Sequence, residues 1–176
     1  FDYEVLLDGR KMDPPTNYYL ARIKDRRSSS GAHPAGFEEK RRSTALAGGA
    51  HPPQRPLIII DPRAGHGPGI GGFKAESEIG EAMRAGHPCY FIGFTPLPEP
   101  DQTIEAVIEA WAVFLERVAD RHTAAEGKPV VIGNCQAGWA LMMLAAKYPD
   151  LCGPVILAGS PLSYWAGVRG INPMRY

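Results

Sequence analysis

Four residues constrain this chain more than any others: Leu57-Ile58-Ile59-Ile60, bounded by Pro56 and Asp61. A continuous apolar, β-branched run without polar alternation suits a central parallel strand covered on both faces. Such a strand needs helices above and below it. The downstream pattern supplies them. Residues 75–85 read as a helix with Ile79, Ala82 and Met83 as its apolar stripe and Gly86 just past its end. Residues 88–94 read as the next strand. Ile104, Val107, Ile108, Trp111, Phe114, Leu115 and Val118 then recur at three-and-four spacing, the mark of an amphipathic helix lying on a sheet. Asp101 or Thr103 is its candidate cap. Glu105, Glu109, Glu116 and Arg117 fall mostly on the other face and read as solvated charge. Residues 128–132 form a strand pattern, 139–148 a helix stopped by Pro149, and 154–158 a further strand. At the start, residues 1–7 alternate, with Tyr3, Val5 and Leu7 on one face. Asp8-Gly9 signals a turn, and residues 17–23 form a second apolar stretch. The expected fold class is α/β: a mostly parallel sheet with right-handed crossovers, entered through an N-terminal antiparallel strand pair at its edge.

At 176 residues the chain is at most one ordinary domain, long enough for a hydrophobic core. Its 19 basic and 19 acidic residues cancel, so net charge makes no case for nucleic acid or an anionic membrane as partner. No apolar run approaches the roughly 18 residues that cross a bilayer, and no signal peptide is visible. Three cysteines stand at no metal-ligand spacing, so neither a metal nor another cofactor is expected. Cys89 and Cys152 adjoin strands and read as core thiols, in a reducing, cytoplasmic setting. Residues 24–55 differ from the rest. Large hydrophobic side chains shrink to Phe37 and Leu46, while basic clusters, Ser28-Ser29-Ser30 and Gly48-Gly49 take over. A stretch so poor in apolar area does not offset its ordering entropy. It reads as a disordered insertion within one partial domain spanning residues 1–176.

The chemistry concentrates at Gly133-Asn134-Cys135-Gln136-Ala137-Gly138. Strand, sharp turn and helix follow one another there, with a cysteine at the apex. That is the context of a nucleophile elbow, where small residues flank the nucleophile because the turn is tight. A thiolate is the attacking form of cysteine, and helix N-termini favour it. Acyl chemistry also needs an oxyanion hole. One donor is the backbone N–H after the nucleophile, that of Gln136. The other comes from the loop after an earlier strand, where Ala64, Gly65 and His66 stand. Gly67 to Gly72 also fits GxGxxG, the dinucleotide fingerprint, but no acid ends the following strand at Gly93-Phe94-Thr95-Pro96. A cysteine nucleophile needs a histidine base. His33 and His51 lie in the insertion, and His87 and His122 precede strands, at the edge opposite the elbow. His66 reads as a loop or substrate contact.

Three stretches resemble a known family: residues 61–73, the Gly133 to Gln136 elbow with Trp139, and residues 159–167. The resemblance is to a bacterial family of unknown function with an α/β-hydrolase domain, often labelled poly(3-hydroxyalkanoate) synthase-like. It covers residues 1–23 and 57–176, and 24–55 does not share it. Ala137 stands where the family typically has a second glycine. The resemblance implies an α/β-hydrolase-like sheet truncated at its C-terminus, with the acid and histidine of a triad beyond Tyr176. It implies that Cys135 accepts the acyl group of a 3-hydroxyacyl-CoA as a thioester, with substrate contacts at Asn134, Trp139 and Ser160. Ester or thioester hydrolysis by the same apparatus is the nearest alternative. A non-catalytic or dinucleotide-binding module is the more distant one.

Overall fold

The computed structural model describes residues 1–24, 54–63, 76–125 and 127–163. Six strands form one sheet: β1 (Asp2–Asp8), β2 (Tyr18–Lys24), β3 (Leu57–Ile60), β4 (Cys89–Phe94), β5 (Val130–Asn134) and β6 (Val155–Ala158). Their spatial order is β1-β2-β4-β3-β5-β6. The β1–β2 and β2–β4 pairs are antiparallel; β3–β4, β3–β5 and β5–β6 are parallel. It follows that every strand except β2 points the same way. The fold is α/β with the expected antiparallel entry, and β3 is central: Ile58, Ile59 and Ile60 are wholly buried.

Helix α1 (Glu78–Arg84) covers one face, and α2 (Ile104–Arg121) and α3 (Gln136–Lys147) cover the other. The two-residue period of a strand sorts β3 between them. Ile58 and Ile60 join Trp111, Phe114, Leu115 and Leu141 in the larger core. Leu57 and Ile59 join Ile79, Met83, Phe91 and Ile132 in the smaller. Burying each such aliphatic side chain contributes about 1.5–3 kcal/mol, so a run apolar on both faces is held from both sides.

Several boundaries differ from expectation. Helix α1 begins at Glu78 because the Ser77 hydroxyl caps the Gly80 N–H. Thr103, not Asp101, caps α2, its hydroxyl accepting from the Ala106 N–H at 3.2 Å. Helix α3 starts three residues earlier than its apolar pattern, immediately after Cys135. The alternating face of β1 is not buried: Tyr3 and Val5 are 47 % and 50 % exposed, and the β1–β2 register shifts between Val5 and Leu7. Leu6 and Leu7 pack against the core together as a result. Glu109 is not simply solvated; it bonds Lys147 and the Tyr148 hydroxyl at the end of α3, tying the two helices. Of the segment read as an insertion, 24–55, only Lys24 at the end of β2 and the lead-in residues Gln54 and Arg55 lie among the described residues.

Candidate active site

The carboxyl ends of β3 and β5 lie side by side, with Ile60 paired to Gly133. Ligands of parallel sheets bind at this edge. Strand β5 ends at Asn134 and α3 starts at Gln136, leaving Cys135 alone at the turn, with φ 50° and ψ −122°. A positive φ on a non-glycine residue costs about 1–3 kcal/mol and persists only where neighbours enforce it. They do so here. The Cys135 N–H donates to the Ala158 carbonyl at 2.9 Å, extending the β5–β6 ladder into the turn. Behind the turn, strand and helix touch backbone to backbone. A Cβ on Gly133 would lie 2.8 Å from the Gly138 Cα, and one on Gly138 would lie 1.7 Å from Ser160 Oγ. Both positions therefore require glycine. Ala137, 3 % exposed, packs into the larger core and leaves that crossing intact.

The side chains around Cys135 divide by role. Cys135 itself is half-buried and Gln136 is exposed. Asn134 is buried, 1 % exposed, and its Nδ2 donates to Glu78 Oε2 at 2.8 Å, fastening the end of β5 to the first residue of α1. The Ser160 hydroxyl donates to the Gly133 carbonyl at 3.2 Å and packs on Gly138. Both are occupied by the protein itself. Trp139 lines a cavity beside the elbow. Ala64, Gly65 and His66, together with the GxGxxG stretch Gly67 to Gly72, lie outside the described residues.

That cavity, about 160 Å³, lies where β3, the start of β2, α2 and α3 meet. Of its lining, Gln136 and Trp139 were read from the sequence as site residues, whereas Tyr18, Asp61, Arg63 and Trp111 were not. Asp61, one residue past β3, is 3 % exposed and accepts the Arg63 N–H on Oδ1 at 2.8 Å. Burial pushes its carboxyl up, against the pull of Arg63. The Arg63 guanidinium stacks 4.8 Å from the Phe94 ring centre and 5.4 Å from that of Tyr18, and donates to the Tyr18 hydroxyl at 3.2 Å. Burial likewise raises the Tyr18 phenol, and Arg63 opposes it. Trp111 stands edge-on to Tyr18, ring centres 5.2 Å apart. Its Nε1–H is buried and has no partner among the described residues. An unpaired buried donor costs about 1–3 kcal/mol. The one local signal was a basic residue three positions beyond a central strand.

A larger cavity, about 440 Å³, opens at the other edge between Arg22, Lys24, Met83, His87 and Cys89. The two described histidines belong to that edge as well. His122 Nε2 meets the Tyr90 hydroxyl at 2.7 Å, and His87 Nδ1 meets the Arg55 carbonyl at 2.8 Å. Neither is placed to deprotonate Cys135. Among the described residues no group of three or more His, Cys, Asp or Glu could hold a metal ion. All three cysteines are free thiols.

Strand, strained turn at a cysteine and helix, set on a mixed α/β sheet, define a protein of α/β-hydrolase-like architecture. The chain belongs to DUF3141, a family described as proteins of unknown function, whose model matches residues 1–176. A relative from Rhizobium meliloti, the "uncharacterized protein in ackA 5'region", is 55 % identical over 176 residues. The match takes in all of this chain and 21 % of the relative, so the chain spans about a fifth of that protein's length. Among solved structures, similarity extends to 2-hydroxy-6-oxo-6-phenylhexa-2,4-dienoate hydrolase (BphD) from Rhodococcus sp. strain RHA1. The TM-score is 0.43 at 16 % identity, over 91 % of this chain and 48 % of that one. A second is MGS-M1, an α/β hydrolase from a Medee basin deep-sea metagenome library, with TM-score 0.42 at 15 % identity over 89 % and 55 % of the two chains. Among the described residues no helix is long and apolar enough to cross a membrane.

Proposed function

We propose that the protein transfers acyl groups through Cys135, taking them from a 3-hydroxyacyl-CoA in the manner of a polyhydroxyalkanoate synthase. The observation that carries this reading is the backbone of Cys135, held at φ 50° on the apex between β5 and α3 at the carboxyl edge of the sheet. A turn that strained presents its side chain clear of both flanking elements, as attack on a carbonyl requires. The Cys135 sulfur attacks the thioester carbonyl, and the tetrahedral oxyanion takes the Gln136 N–H. A second donor comes from the Ala64, Gly65 and His66 stretch. Collapse expels the CoA thiolate, which takes up a proton, and leaves the acyl group on Cys135. An incoming hydroxyl then attacks the new thioester and frees the cysteine. Trp139 borders the acyl group, while Asn134 and Ser160 hold the turn in shape. The base that serves both steps is a histidine other than His87 and His122, which lie at the far edge of the sheet. A mechanism through a free thiol suits the reducing cytoplasm.

The test uses the complete protein, with 3-hydroxybutyryl-CoA as substrate and CoA release as readout. Wild type should release CoA and carry a 3-hydroxybutyryl adduct on Cys135 by mass spectrometry. Cys135→Ala should lose at least about 100-fold in rate, the scale of removing a nucleophile. Equal release by Cys135→Ala would end the covalent reading. Free 3-hydroxybutyrate as sole product would assign hydrolysis instead of transfer.

A further inference from the structure

We propose that the cavity between β3, α2 and α3 is a binding site for a small carboxylate, gripped by the Arg63 guanidinium and the Trp111 Nε1–H. The inference uses no property of Cys135. Two independent observations point to an acceptor-rich ligand. The first is Trp111: 1 % exposed, lining the cavity, with an indole N–H that no described residue accepts. An indole N–H is a donor only, so an acceptor beyond the described residues must satisfy it, and a ligand oxygen in the cavity is placed to do so. The second is Arg63. Its guanidinium carries five N–H donors in a planar fork. One described hydrogen bond uses that fork, Nη1 to the Tyr18 hydroxyl. Among the described residues no carboxylate forms an ion pair with it, although Asp61 shares the cavity. Asp61 instead spends Oδ1 on the Arg63 backbone N–H, and burial weakens its hold as an anion. The guanidinium carbon lies over both rings, 5.4 Å from the centre of Tyr18 and 4.8 Å from that of Phe94. A guanidinium held over two rings by one hydrogen bond, with donors to spare, matches the two oxygens of a carboxylate.

Size and walls limit the ligand. The cavity holds about 160 Å³. That is well under the roughly 300–1,000 Å³ of a site for a larger molecule. Ile104, Val107, Ala137 and Ala140 give it an apolar side. A carboxylate with a short aliphatic tail fits both halves of the lining.

Butyrate is the probe, titrated into the 15N-labelled chain at constant ionic strength against chloride. The readout is the indole N–H resonance of Trp111, assigned by its loss in Trp111→Phe. A saturable shift in the millimolar range is expected. Arg63→Gln should weaken it at least about tenfold, and butyramide, which keeps the shape and drops the charge, should bind at least about tenfold more weakly. Arg63→Lys, with the charge but not the fork, should fall between. The cavity shares Gln136 and Trp139 with the acyl-transfer reading but is not lined by Cys135, so Cys135→Ala should bind butyrate as wild type does even where it abolishes CoA release. No saturable shift, as a buried water satisfying the indole would give, overturns the proposal. So does an unchanged affinity in Arg63→Gln, or equal affinity for butyramide.

Discussion

At the scale of single residues, Gly138 and Asp61 carry the sharpest expectations. A methyl group on Gly138 would meet Ser160 at Oγ and, at 2.5 Å, at Cβ. Gly138→Ala should therefore lower stability by about 1–3 kcal/mol, the range for overpacking, measured by urea unfolding. Ser160→Gly removes both offending atoms, so the double variant should recover most of that loss. Gly133→Ala should not be rescued in the same way, because its Cβ meets the Gly138 backbone. Additive losses in the double variant would mean that Ser160 is not what demands a glycine. Asp61 tests electrostatics. Burial holds its pKa above the ordinary 3.8, so the native state binds the proton more tightly than the unfolded chain does. Stability is then lost as pH rises from the ordinary value through the raised one, and the loss persists above it. Asp61→Asn keeps an acceptor for the Arg63 N–H and removes the charge. Its melting temperature relative to wild type should be higher at pH 7 than at pH 3, and a pH-independent difference would refute this origin.

The elements were legible in proportion to how local their causes are. Strand β3 and helix α2 were plain because burial imposes a period, and the period is written in Leu57 to Ile60 and in Ile104 to Val118. The elbow was legible as strand, small residues and helix, although the start of α3 was not: Gln136 and Ala137 have no helical stripe of their own. Helix α1 was misplaced by three residues because its start depends on a hydroxyl of Ser77 reaching the Gly80 N–H. The exposed face of β1 was hidden by a register shift that no alternation records. The cavity lining was least legible of all. Tyr18, Asp61, Arg63 and Trp111 come from distant parts of the chain, and Trp111 reads in sequence as one more stripe residue. Capping offers a test at this scale. Thr103→Ala removes the acceptor of the Ala106 N–H and should cost about 1 kcal/mol by urea unfolding. Asp101→Asn should change stability little, since Asp101 sits at φ 58° outside the cap and asparagine tolerates that backbone.

Across the whole molecule, the common direction of five strands separates two edges with different chemistry. The carboxyl edge gathers Cys135, Asp61 and Arg63. The amino edge holds the Tyr90–His122 pair, ring centres 5.6 Å apart. Burial lowers the His122 pKa, and Arg22 and Arg121 add repulsion of the charged ring. The unfolded chain therefore binds a proton here more readily than the native one. Stability present above the ordinary value of 6.5 is lost as pH falls through 6.5 toward the depressed native value. Asp61 acts in the opposite sense, so the two groups separate by the sign of their pH dependence as well as by edge. A protonated imidazole carries N–H donors on both nitrogens, so Nε2 can then only donate to the Tyr90 hydroxyl. Wild type should lose melting temperature between pH 7.5 and pH 5, and His122→Gln should lose less, because its amide neither titrates nor meets Arg22 and Arg121 as a cation. If the two profiles run parallel over that interval, the acid sensitivity of the fold does not arise at this edge.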